Sequence, residues 1–133
     1  MNTLEFHVTK KEKGKKADIV FGELLFMDGD RCVRQFPANS GGWGNGPLPF
    51  GEYKCHAARP LPSGSPEGLG TWIMGIEPLF ETSRYNLAIH KDGGVPGTLG
   101  CIGITEDDDF CFALLKTHKP EMLTVYDFAN SKR

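Results

Sequence analysis

The sequence predicts a mainly β fold with one helix, an α+β domain. Glycine occurs 17 times and proline 9 times in 133 residues, which favours many turns between short strands over a helical bundle. Several segments alternate apolar and polar residues with the two-residue period of a half-buried strand. A single stretch, from Thr105 onward, carries helix start and stop signals. At this length residues 1–133 form one domain, with no internal repeat.

Leu4, Phe6 and Val8 share one face of a first strand over Leu4–Val8. The run Lys10-Lys11-Glu12-Lys13-Gly14-Lys15-Lys16 reads as an exposed hairpin tip, with contact to an anionic polymer as the alternative. A second strand covers Asp18–Phe26, Asp28-Gly29 is a hairpin signal, and a third strand covers Arg31–Pro37. Ala38–Pro49 is too rich in glycine and proline for regular structure and reads as a long loop. Within it Trp43 is either a packed anchor or a surface that stacks on a ligand. Strands resume over Phe50–Ala57 and, after an irregular Arg59–Gly70, over Thr71–Ile76. Asn86–Ile89 is a short apolar strand ending at His90. A loop with Gly93, Gly94, Pro96, Gly97 and Gly100 leads to Cys101 and the apolar exit Ile102-Gly103-Ile104. Thr105 is the expected N-cap, and Glu106-Asp107-Asp108-Asp109 suit the positive end of a helix dipole better than a metal site. The helix should end near Lys116–Lys119, before Pro120, and Leu123–Phe128 closes the chain as a strand.

A formal net charge of -2 gives no general attraction to nucleic acid or to an anionic membrane. No apolar run approaches the ~20 residues of a membrane-spanning helix. No secretory signal is visible at Met1–Phe6, which predicts a cytoplasmic chain or one delivered by another route. The cysteines at 32, 55, 101 and 111 lack C-x-x-C spacing, so neither a structural metal nor a cofactor is expected. Cys32, Cys55 and Cys111 read as small buried hydrophobes, whereas glycines around Cys101 suggest an exposed thiol.

A thiol attacks as its thiolate, and a free pKa of ~8.5 leaves little of that form at neutral pH. His90, at a strand end across a flexible loop from Cys101, is placed to take the proton. Gly100 keeps bulk away from the sulfur, and the amides of Gly100, Cys101 and Ile102 could receive an oxyanion. Lys91-Asp92 either orient His90, bind a substrate charge or form a solvated turn; Arg84 and Tyr85 precede the strand and could line a cleft. His56 follows Cys55, but alternation puts neighbours on opposite faces. His7 and His118 read as surface residues.

His90 followed by Thr98-Leu99-Gly100-Cys101-Ile102-Gly103 resembles the signature of the L,D-transpeptidase (YkuD-like) catalytic domain. Gly46-Pro47-Leu48-Pro49-Phe50-Gly51-Glu52-Tyr53 resembles that family's segment leading into a strand, and the likeness covers most of residues 18–128. The resemblance implies a YkuD-like β-sandwich or barrel with the cysteine on a loop before the helix. It implies thioester chemistry on peptidoglycan stem peptides: transpeptidase, carboxypeptidase or endopeptidase. Cys101 would be the nucleophile, His90 the base and Gly100–Cys101 the oxyanion pocket, with Trp43, Arg84, Tyr85, Asp92 and Thr98 toward substrate. Leu99 stands where the family has a histidine, and the interval from His90 to Cys101 is shorter than the family's. Members of this kind occur as phage proteins and secreted effectors, which implies action in the periplasm or cell wall after non-Sec delivery. The alternatives are a non-catalytic cell-wall-binding or immunity-type module and a cysteine amidase of another fold.

Overall fold

Strands β1 (Asn2–Lys13) and β2 (Asp18–Asp28) pair antiparallel from Asn2 opposite Asp28 to Lys13 opposite Asp18, with a bulge between Val8 and Lys10. Leu4, Phe6 and Val8 turn inward, as their alternation predicts, and are almost wholly buried. Gly29, at φ 60, makes the sharp turn from β2 into β3 (Arg31–Gly41). The chain continues through β4 (Gly51–Pro60), β5 (Trp72–Pro78), β6 (Leu87–Lys91), β7 (Ile102–Ile104), α1 (Asp108–His118) and β8 (Met122–Asp127). These elements belong to a computed structural model that describes residues 1–63, 70–92, 98 and 100–128.

The described strands close into an eight-stranded barrel in the order β1-β2-β3-β7-β6-β5-β4-β8. This overturns the expected YkuD-like sandwich: each strand is hydrogen-bonded on both sides, so one continuous sheet replaces two packed layers. Closure comes from β8, which runs parallel to β1 and antiparallel to β4. A second parallel seam joins β6 to β7. The interior is filled by large side chains, including Tyr53, Trp72, Phe6 and Phe36.

The two barrel ends are closed differently. Loop 42–50 follows β3 and drops Leu48, 3% exposed, into one mouth. Helix α1 lies over the other end, where Phe110, Phe112 and His118 meet Phe36, Trp72 and Phe26. Trp72 also donates its indole N–H to Asp108 Oδ2 at 3.0 Å. No described helix is long and apolar enough to cross a membrane.

Several local expectations change. Ala38–Gly41 belongs to β3, because its backbone pairs with Ile19–Gly22 and, at Ala38 and Asn39, with β7. Lysines 10, 11 and 13 lie within β1, which leaves only Gly14–Ala17 as the turn, closed by Gly14 N donating to Ala17 O. Thr105 is not the N-cap; its amide and hydroxyl both donate to Pro37 O, tying it to β3. Asp107 caps α1 in a left-handed conformation without a side-chain capping bond to the helix, its carboxylate instead accepting from Arg34 at 3.4 Å, while Asp108 and Asp109 occupy the first turn. Cys32 is exposed, not buried, because β3 turns it outward near its free end. His7 is half-buried between Glu5, Tyr126 and Phe128 on the outer face of β1 and β8.

Candidate active site

Parallel pairing sets Ile89 beside Ile102 and His90 beside Gly103. Ile89, Ile102 and Ile104 are fully buried in the core. Alternation therefore turns His90, Gly103 and Cys101, one residue before β7, to the barrel's outer face. On the other side of β7, Asn39 of β3 lies opposite Gly103. A row Asn39–Gly103–His90 thus crosses three strands at one level. Gly103 leaves a gap in that row that its neighbours fill: a Cβ there would lie 3.1 Å from Thr98 Cγ2, 3.2 Å from Asn39 Oδ1 and 3.2 Å from Asp92 Cβ.

His90 is 4% exposed, and its Nδ1 lies 2.7 Å from Lys91 O. A carbonyl only accepts, so Nδ1 carries the proton and Nε2 keeps its lone pair. Burial lowers the imidazole pKa, opposed by the Lys91 carbonyl and by the negative charge of Asp92. Asp92 in turn accepts a 3.2 Å hydrogen bond from Asn39 Nδ2 and donates its amide to Ile104 O at 2.8 Å.

Cys101 is half-buried, its Sγ 3.9 Å from Asn86 O. Burial raises its pKa, opposed by the backbone of Ala88. Among the described residues no hydrogen bond joins this sulfur to His90. The resting pair is a neutral thiol and a neutral imidazole, not a preformed ion pair.

Thr98 is 6% exposed and braces the backbone at Cys101 rather than facing solvent. Its hydroxyl donates to Cys101 O at 2.6 Å and accepts from Gly41 N and Gly100 N, each at 3.2 Å. The Gly100 amide is thereby engaged and is not a free oxyanion donor. Gly100 has φ 130, and a Cβ there would lie 3.1 Å from Arg84 Nη1. Arg84 donates to Gly46 O at 3.5 Å and also to Asn45 O, tying loop 42–50 to the approach to Cys101. Trp43 is half-buried in that loop, where Gly46 N donates to Trp43 O, and Tyr85 is 78% exposed.

The structure thus brings His90, Asp92, Thr98, Gly100, Cys101 and Arg84 to neighbouring positions. His56 and Cys55 point to opposite faces, His56 to solvent beside Glu77 and Cys55 to the core, its thiol pushed up to about 12 by burial. Leu99 and the loop residues 93–97, like 64–69, lie outside the described residues. Asn39 and Ser40, 1% and 0% exposed, escaped the sequence reading because a Gly-Gly pair follows them. Ser40 Oγ accepts from Leu48 N at 2.9 Å, so it seats the loop. Among the described residues no group of three or more His, Cys, Asp or Glu could hold a metal ion. No protein-family model matches the chain, and no curated protein matches its sequence.

Proposed function

We propose that the chain is a cysteine-dependent acyl-transfer or hydrolytic enzyme of the L,D-transpeptidase type. Its substrates are peptidoglycan stem peptides, met in the periplasm or cell wall. The observation that supports this reading is the shared outer face of His90, on β6, and Cys101, one residue before the adjacent β7, with the His90 tautomer set by Lys91 O. The step requires the Cys101 side chain to rotate from Asn86 O toward the imidazole. Nε2 takes the thiol proton as Sγ attacks the scissile carbonyl carbon. With the Gly100 amide held by Thr98, the oxyanion donors left from the expected set are the amides of Cys101 and Ile102. Collapse breaks the C–N bond, and His90 returns its proton to the leaving amine. An amine or water then takes the acyl group from the thioester and restores the thiol.

Mass spectrometry of muropeptides incubated with the purified protein tests this directly. Loss or exchange of stem-peptide residues is expected, and Cys101→Ala should abolish it while the protein remains folded. Full activity in that variant would sink the reading.

A further inference from the structure

Around the barrel mouth that Leu48 plugs, two kinds of exposed side chain meet. The first is cationic. Among the described residues, β8 accompanies β1 only as far as Val8 opposite Asp127, and beyond that point β1 has β2 as its one partner. Lys10, Lys11, Lys13, Lys15 and Lys16 all stand exposed on this projecting hairpin. Lys10 pairs with Glu12 at 2.7 Å and Lys11 with Asp18 at 3.6 Å. Among the described residues no carboxylate forms an ion pair with Lys13, Lys15 or Lys16, so their positive charges are uncompensated. The hairpin is held against the mouth: Lys16 N donates to Gly42 O at 3.1 Å, and Gly42 N donates to Asp18 O at 2.7 Å.

The second kind is apolar. Phe50, Leu79 and Tyr85 are large hydrophobic side chains left exposed. Phe50 borders a cavity of about 300 Å³ that Lys11, Asp18 and Arg84 also line, which places it beside the hairpin. The Leu79 amide donates at 2.9 Å to the carbonyl of Glu52, two residues on from Phe50. Tyr85 follows Arg84, whose guanidinium holds Gly46 O in loop 42–50. All three therefore rim the same mouth. The opposite end of the barrel exposes Phe110, but beside Glu106, Asp107 and Asp109. An anionic bilayer surface takes both kinds of side chain: lysines reach lipid phosphates, and apolar projections enter the headgroup boundary. A soluble polyanion needs only the lysines. Stacked nucleic-acid bases would use Phe50 and Tyr85 but not Leu79, which has no π face. We infer that this rim docks the barrel, mouth first, on an anionic lipid bilayer as a peripheral contact. The net charge of -2 conceals the attraction, because the positive charge is local. The docking stands apart from the cysteine chemistry, although it sets Cys101 at the membrane-proximal end: Asn86, next to Tyr85, has its carbonyl oxygen 3.9 Å from Sγ.

Sedimentation with lipid vesicles is the test. The protein should pellet with vesicles of phosphatidylcholine and phosphatidylglycerol, stay in solution with phosphatidylcholine alone, and be released by raised salt. A lysine near such a surface contributes about a fivefold gain in partition, so joint replacement of Lys13, Lys15 and Lys16 by Gln should lower binding roughly a hundredfold. Leu79→Ser and Phe50→Ser should each weaken it severalfold with the salt dependence unchanged, a signature that charge alone does not give. Equal pelleting with neutral and anionic vesicles overturns the docking, as does undiminished binding by the lysine variant or by both apolar variants. Tighter binding to a single-stranded oligonucleotide or to poly(glycerol phosphate) than to the vesicles overturns the bilayer as occupant and assigns the rim to a soluble polyanion. The readout involves no turnover, so failure here leaves the cysteine chemistry standing, and failure of that chemistry leaves the docking standing.

Discussion

His90 keeps its proton on Nδ1 and is held neutral by burial, which fixes the direction of its pH dependence. Its folded pKa is lowered from 6.5, so the imidazole is unprotonated at neutral pH, and under the proposed function its capacity as base is lost only as pH falls through that lowered value. Activity should therefore be flat near pH 7 and drop on the acid side of the ordinary imidazole range. Asp92 raises the His90 pKa, so Asp92→Asn should move the acid limb to lower pH, read from kcat/KM against pH; movement to higher pH would contradict this. The same sign applies to stability: the contribution of a neutral buried imidazole is present above the unfolded pKa and lost as pH falls. Asn39 anchors Asp92 from a site 1% exposed to solvent. Asn39→Ala removes that donor from a part-buried carboxylate and should cost about 1–3 kcal/mol in a urea titration. That His90 and Cys101 lie on neighbouring segments could be read from the chain, because strand, histidine, glycine loop and cysteine follow one another. The role of Asn39 could not, because it depends on β7, more than sixty residues later.

Short strand β7 joins β3 to β6, and a Cβ on its middle residue would force its neighbours to give by a few tenths of an ångström. Gly103→Ala would push on Thr98, Asn39 and Asp92 together. A loss of about 1–3 kcal/mol is expected, with slower alkylation of Cys101; unchanged stability and labelling would argue against tight packing there. At the opposite end, α1 is coupled to β5 through Trp72, which stacks on Phe112 and donates to Asp108. Asp108→Ala strands a buried indole N–H, and a cost of about 1–3 kcal/mol should appear as a lower thermal midpoint. Strand positions could be read from alternation, and the C-terminal end of α1 from its basic last turn and following proline. The N-cap could not, since Thr105 spends its hydrogen bonds on β3.

The barrel closes through β8, the last strand, inserted between β1 and β4. Alternation specifies which face of each strand is buried, but a sandwich and a barrel satisfy the same alternation. The difference lies in the β1–β8 pairing, between opposite ends of the chain, and no local signal encodes it. Leu123 is fully buried at this seam. Leu123→Ala should cost about 2–5 kcal/mol, and hydrogen exchange should then show β1 and β8 losing protection together. The thiols are unevenly distributed over this shell. Cys55 and Cys111 are buried, their pKa values pushed up to about 12, Cys101 is half-covered with its pKa raised, and Cys32 stands exposed on β3. Oxidation follows thiolate character and access. Under mild peroxide the chain should therefore age at Cys32 first, by covalent pairing of two molecules through that sulfur. A Cys32→Ser protein should therefore form no disulfide-linked dimer in storage and keep Cys101 titratable by a thiol reagent.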